Sequence, residues 1–174
     1  LDNFTKMEEI FEEQLKKCGV EYFDFYLFHA LNRNSYKKHV ACNSFEIVKK
    51  LKAEGRIKHI AMSFHDTADV LDMILTEQPD IEVVQLQFNY VDYDDPSVQS
   101  RLCYEVCRKH GKPVFVMEPV KGGTLLNLTQ AALDLLPDGS PASYAIRFAA
   151  GFENWFRHRY RRPALCIELV ENEE

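Results

Sequence analysis

Four short apolar runs in this chain each end in residues able to bind or polarise a ligand. His29 follows Tyr22 to Phe28, and Ser63 follows Ile57 to Met62, with Phe64 and His65 behind it. Gln85, Gln87 and Asn89 alternate with apolar neighbours along Ile81 to Phe88, and Tyr90 stands just beyond. The run Pro113 to Met117 leads into Glu118-Pro-Val-Lys-Gly-Gly-Thr124. A glutamine pointing inward must find hydrogen bonds or bear its desolvation, so Gln85 is a candidate binding group. The Gly122-Gly123 pair could cradle a phosphate with backbone N–H groups. Each feature also has a plain structural reading: a histidine bonded to a neighbouring loop, a serine in a cap or turn, a glycine pair in a turn.

The elements that position these residues alternate between helix and strand. Thr5 with Glu8 reads as a capping box opening an amphipathic run through Met7, Ile10, Phe11 and Leu15, ended by Gly19. A strand over Tyr22 to Phe28 then stops at His29, and a loop is predicted around Asn32, Arg33, Asn34 and Ser35. Asn43 or Ser44 caps a helix through Phe45, Val48 and Leu51, with Gly55 past its end. After the second strand, Asp66 and Thr67 open a helix carrying Val70, Leu71, Ile74 and Leu75 that closes before Pro79. Asp95-Pro96 reads as a cap plus first-turn proline for a helix to about His110, with Gly111 after it. Ser140-Pro141 repeats that pattern before an Ala-rich helix ending near Gly151. Strands separated by helices at this spacing predict parallel βα units with right-handed crossovers. In such folds ligands bind at the C-terminal ends of the strands, where the polar residues above stand. Periodicity leaves open whether the sheet is doubly wound or part of a (β/α)8 barrel.

Composition narrows the function classes. With 46% hydrophobic residues, including 12 Phe and 8 Tyr, the 174-residue chain can build a real core. Its formal net charge of -6 argues against a nucleic-acid binder. The basic-aromatic cluster Trp155 to Arg162 is read as a solvated or partner-facing segment, with Ala164 to Val170 a possible strand after it. No apolar run reaches the roughly 18 residues of a membrane span, and the first residues lack the pattern of a signal peptide. Five cysteines at irregular spacing do not suggest a disulfide framework, so the expected setting is a reducing cytoplasm. Cys103 and Cys107 lie one helical turn apart without further ligands at zinc-like spacing, and are read as half-buried structural thiols; no metal is expected.

Taken together and in order, four segments resemble the aldo-keto reductase family. They are Tyr22-Phe-Asp-Phe-Tyr-Leu-Phe-His29, Leu51-Lys-Ala-Glu-Gly-Arg-Ile-Lys-His-Ile-Ala-Met-Ser63, Val84-Gln-Leu-Gln-Phe-Asn-Tyr90 and Glu118-Pro-Val-Lys-Gly-Gly-Thr-Leu125. The style of the motifs, Ser-Phe-His-Asp66 included, is similar to a bacterial branch whose members often end in an iron–sulfur module, although no such cysteine cluster is present here. The resemblance implies an α/β fold in which parallel βα units form part of a (β/α)8 TIM barrel. It also implies hydride transfer between NADP(H) and a small-molecule carbonyl or alcohol substrate. His29 then matches the active-site histidine that hydrogen-bonds the carbonyl oxygen as charge develops there. Ser63 and Gln85 match residues holding the nicotinamide carboxamide, and Pro119, Gly122, Gly123 and Leu125 lie in the segment matching the one along the cofactor pyrophosphate.

The departures from the family shape the expectation. The family's acid is a tyrosine tuned by a lysine near an aspartate, all on earlier strands; Tyr22, Tyr26 and Tyr90 do not match its motif. Loss of that acid removes a contribution of about 10²–10⁴-fold. Met117 stands where an aromatic residue commonly stacks on the nicotinamide. The expected organisation is a partial barrel of four to five βα units over 1–151 and a divergent tail over 152–174. Such a truncated chain is expected to be inactive alone. Two other readings remain: a non-catalytic partial-barrel module that self-associates through its edges or binds a protein partner, and a lyase or isomerase on a similar scaffold, for which no metal or phosphate site is seen.

Overall fold

The computed structural model describes residues 6–136, 139–152 and 166–169. Helix α1 (Met7–Cys18) buries Met7, Phe11 and Leu15 and ends at Gly19, whose left-handed φ of 65° lets its N–H reach back to the last carbonyls. Lys6 occupies the N-cap position, and the capping residue expected at Thr5 lies outside the described residues. Strands β1 (Phe23–Leu31), β2 (Ile57–Phe64), β3 (Val83–Gln87) and β4 (Val114–Met117) follow, and β5 (Cys166–Leu169) closes the series. All pair in parallel, in the spatial order β4-β3-β2-β1-β5. From β1 to β4 each crossover steps the same way across the sheet. That is the winding of a (β/α)8 barrel; a doubly wound sheet would reverse direction.

The intervening helices cover one face. They are α2 (Arg33–Ala41), α3 (Ser44–Ala53), α4 (Ala68–Glu77) and α5 (Ser100–Lys109), with a 3₁₀ turn (Thr124–Leu126), α6 (Gln130–Leu133) and α7 (Pro141–Ala150) after β4. Tyr26, Phe28, Ile60, Met62, Val84 and Leu86 point from the sheet into the helix layer. The alternate residues Phe25, Leu27, Ala61 and Val83 pack on the inner face with Phe115. Burial on both faces is why these strands read as continuous apolar runs.

Several boundaries differ from the sequence expectation, each for a local reason. β1 runs past His29 to Leu31, because a register shift between Phe28 and Leu31 keeps it paired with β2. The loop expected at Asn32 to Ser35 is the start of α2: Asn32 accepts from Asn34 and Ser35 N–H, and Ser35 Oγ accepts from Asn32 N–H. This reciprocal cap makes a polar stretch helical. Asn43 precedes α3 but adopts φ 58° and makes no side-chain cap. The Asp95-Pro96 turn is separated from α5 by Gln99 at φ 55°, so that helix starts only at Ser100. Ser140 caps α7 as expected, accepting from Ser143 N–H at 3.3 Å. The cluster Trp155 to Arg162 lies outside the described residues.

One buried titratable group sets a pH dependence. His39 on α2 is 1% exposed and sits among the rings of Phe28 and Phe45 at 5.1 and 6.2 Å. Burial, with a smaller contribution from Lys38, pushes its pKa down from 6.5 to about 4. Between those values the unfolded chain binds a proton that the folded chain refuses. Stability is therefore full above pH 6.5 and falls as the pH drops toward 4, by about 3 kcal/mol in all. Urea unfolding of His39→Leu across that range should show a clearly flatter pH dependence than the natural chain; an identical slope would remove His39 as its source.

Candidate functional site

The expected site residues gather where β1, β2 and β3 end. Alternation from Phe25 and Leu27 brings half-buried His29 to the inner face just as the β1 register shift begins. Ala30 after it takes φ 46°, a conformation unfavourable for any residue with a Cβ. Ser63 holds it there: its Oγ, only 1% exposed as a residue, accepts from Ala30 N–H at 2.8 Å. Ser63 lies one residue past the end expected for β2, which continues to Phe64, and its hydroxyl fixes the backbone beside His29.

Ser63 and Gln85 are register partners on β2 and β3, and Gln85 in turn faces Phe115 on β4. They therefore project side by side from the inner face. Gln85 Oε1 is buried and accepts no hydrogen bond. A buried acceptor left unsatisfied costs about 1–3 kcal/mol, and such an atom at a strand end is where a ligand donor would be accommodated.

Beyond Gln85 stands a polar network that the sequence reading did not anticipate. Asp92 is fully buried, and its Oδ2 accepts from Gln87 Nε2 at 2.7 Å and Asn89 Nδ2 at 2.6 Å. Its Oδ1 pairs with Lys121 Nζ. Burial alone would raise the Asp92 pKa, but the hydrogen bonds from Lys121, Gln87 and Asn89 outweigh it and hold the carboxyl below the usual range. Asn89 Oδ1 accepts from Val91 and Asp92 N–H, and its Nδ2 also donates to the Glu118 carbonyl at 3.0 Å. The trace of this in the sequence is the Asn89-x-x-Asp92 spacing, in which an asparagine turns the backbone onto its own side chain.

The loop Pro119 to Leu125 is tightly wound. Glu118 and Lys121 adopt φ 57° and 49°, followed by Gly122 at 57° and Gly123 at 89°. The N–H groups of Lys121, Gly123, Thr124 and Leu125 donate to carbonyls within the loop. The phosphate cradle expected from Gly122 and Gly123 is thus a self-bonded turn in which Gly123 N–H is already engaged. Gly122 stays close to Glu118, whose Oε2 would lie 3.7 Å from an added Cβ. Met117, the expected neighbour of the ring site, pairs with Gln87 at the end of β4. Pro119 has no N–H to offer, and Leu125 is buried beneath the turn.

Two cavities open nearby without touching His29, Ser63 or Gln85. One of about 140 Å³ lies between the ends of β2 and β3, lined by Phe64, His65, Gln87, Ser97, Ser100 and Cys103 among others. The other, about 380 Å³, is apolar and bordered by Tyr90, Leu128, Leu136, Tyr144 and Phe148. Cys103 and Cys107 are fully buried, more so than expected; burial pushes the Cys103 thiol up to about 12 and raises Cys107 as well. Among the described residues no group of three or more His, Cys, Asp or Glu could hold a metal ion. Among them too, no helix is long and apolar enough to cross a membrane.

Comparison with known proteins agrees with this architecture. The sequence pattern of the Aldo/keto reductase family matches residues 4–150. The fold is similar to that of aldo-keto reductase AKR11C1 from Bacillus halodurans in its holo form, at 18% identity and TM-score 0.64, over 86% of this chain and 52% of that one. It is similar too to an aldo/keto reductase from Brucella melitensis, at 23% identity and TM-score 0.62, over 82% of this chain and 52% of that one. A curated relative, "Uncharacterized oxidoreductase YtbE" of Bacillus subtilis (strain 168), is 26% identical over 117 residues, or 67% of this chain and 38% of that protein. The chain spans about half the length of these structures and 38% of the curated relative.

The Ser63 contact is open to direct test. Ser63→Ala leaves the Ala30 N–H without its acceptor and should lower unfolding stability by about 1–3 kcal/mol. Denaturant unfolding within experimental error of the natural chain would show that this hydroxyl does not hold the strand end.

Proposed function

This chain belongs to the aldo/keto reductase family, and on that premise we propose that its strand ends form the nicotinamide-binding part of an NADP(H)-dependent oxidoreductase acting on a carbonyl or alcohol substrate. The observation that carries the reading is the unsatisfied, buried Gln85 Oε1 beside Ser63. A carboxamide N–H donor answers that acceptor, and the Ser63 hydroxyl adjoins it, so the residues present fit the cofactor's amide end. When bound, the nicotinamide supplies or accepts a hydride. Gln85 and Ser63 orient the carboxamide, and the apolar inner face of Phe25, Leu27, Ala61, Val83 and Phe115 excludes water beneath it. His29, at the end of β1, donates a hydrogen bond to the substrate oxygen as negative charge grows there. Pro119, Gly122, Gly123 and Leu125 belong to the segment proposed to lie along the pyrophosphate, where Gly122 N–H is not among the donors engaged within the turn.

These 174 residues contain no tyrosine matching the family's proton donor, so the proposal for this chain is cofactor binding without turnover on its own. A reducing, cytoplasmic setting goes with it, supported by the free thiols Cys18, Cys42, Cys103 and Cys107. The test is a circular-dichroism thermal melt with and without NADPH. Ligand at a hundred times its Kd should add about 2.7 kcal/mol and raise the midpoint by several degrees. Gln85→Leu should abolish that rise while leaving the free protein at least as stable, because it removes the unsatisfied acceptor. A full rise in the variant would sink the assignment of Gln85.

A second reading is favoured by the place of β4 at a sheet edge: a non-catalytic module that self-associates or binds a protein partner through that edge. Sedimentation of the natural chain over a hundredfold concentration range should then show a growing dimer. A constant monomer would exclude self-association.

A further inference from the structure

Asp92 is the one fully buried carboxylate among the described residues, and nothing in the hydride chemistry requires it. It lies in the connection between β3 and α5. Its partners come from the end of β3 (Gln87), from its own turn (Asn89) and from the loop after β4 (Lys121). Asn89 adds a second tie across the same gap, donating to the carbonyl of Glu118. Both residues gripped in that loop, Glu118 and Lys121, hold left-handed backbone without being glycine. Such conformations persist only where surrounding contacts over-determine them. The side chain of Lys121 is about one-third exposed, so a lysine free of Asp92 would extend its ammonium into water.

We propose that Asp92 is a positioning residue that latches the loop Glu118 to Leu125 in its wound conformation and thereby sets the affinity of that loop for a dinucleotide pyrophosphate. The pyrophosphate clause rests on the function proposed above; the latch itself rests only on the network. The carboxylate is the shared anion of the cluster. It fixes Gln87 and Asn89 as donors pointing inward and holds Lys121 back over the sheet. In that state Gly122 N–H stands clear of the bonds within the turn. Without the anion the amide of Asn89 and the ammonium of Lys121 lose their common acceptor, and the two left-handed residues relax.

The experiment is hydrogen exchange followed by mass spectrometry on the full chain, paired with NADPH titration by fluorescence. Asp92→Asn and Lys121→Met should each speed exchange in peptides spanning 118–126 by about tenfold, the equivalent of one lost charge-assisted hydrogen bond. Peptides from β1 and β2 should be unchanged. Lys121→Arg, which keeps a cation for Asp92, should restore protection, a rescue that a merely space-filling role would not need. Lys121→Met also keeps the test alive should Asp92→Asn fail to fold. NADPH affinity should weaken by a similar factor in Asp92→Asn and Lys121→Met and recover in Lys121→Arg. Unchanged exchange at 118–126, or faster exchange spread evenly over the chain, overturns the latch. Local loosening with unaltered NADPH affinity overturns the link to the cofactor. A natural chain that binds no NADPH overturns the proposed function, while the exchange data still decide the latch.

Discussion

A parallel sheet buried on both faces has no water along its strands, and that constraint governs everything polar in this molecule. Between paired strands the backbone groups are answered by the neighbouring strand, but the ladder stops where the strands end. There every remaining polar atom must be met by a side chain, a turn or a ligand. Ser63 meets the N–H of Ala30, Ser100 Oγ meets the Gln87 carbonyl at 2.7 Å, and Asn89 meets two N–H groups of its own turn. Asp92 and Lys121 meet each other. Against that background the bare Gln85 Oε1 stands out, because its neighbours on the same rim are provided for.

The two ends of the sheet solve this problem differently. At the N-terminal ends, ion pairs join elements whose backbone is regular: Glu82 takes Lys52, the His59 imidazole and the Ile60 N–H, and Arg56 grips Glu12 on α1 while lying over Phe11. Such half-exposed pairs add little individually, but they demand no strain. At the C-terminal ends three non-glycine residues, Ala30, Glu118 and Lys121, take positive φ, at roughly 1–2 kcal/mol each. Asn43 and Gln99 also take positive φ, each just before a helix, so such backbone is not restricted to one end of the sheet. At Ala30, Glu118 and Lys121 it is the cost expected where the stability of the fold underwrites the shape of a site.

Much of this was legible in the sequence, and the parts that were not share a cause. The first four strands, the Ser140 cap and the Gly19 terminus follow from local periodicity and capping chemistry. So does the gathering of Ser63 and Gln85, because alternation and parallel pairing together fix a face. What escaped depends on contacts between segments distant in sequence. The extension of β1 through His29 needs β2 alongside it, and α2 needs Asn32 and Ser35 to cap each other in a stretch whose composition reads as loop. The role of Asp92 needs Lys121, 29 residues away, and an aspartate in a run of Asp and Tyr gives no local sign of being buried.

The function proposed for this chain separates into two tasks that place different demands on structure. Orienting a nicotinamide needs a few fixed hydrogen-bonding groups and a dry floor; the proposal assigns the first to Ser63 and Gln85 and the second to the packed inner face of Phe25, Leu27, Ala61, Val83 and Phe115. Delivering a proton needs an acid whose pKa is brought near neutrality by charged neighbours. Tyr26 and Tyr36 are poor candidates: Tyr26 is buried against Phe11 and Phe23 with its hydroxyl on Gln14, and burial drives its pKa up, away from any useful range. Tyr36 is likewise raised, first by burial and then by the Glu77 carboxylate it bonds. Both sit on the helix side of the sheet, away from the rim that Ser63 and Gln85 share. Holding a cofactor and supplying a proton are separable demands, and the function proposed for this chain concerns the first alone.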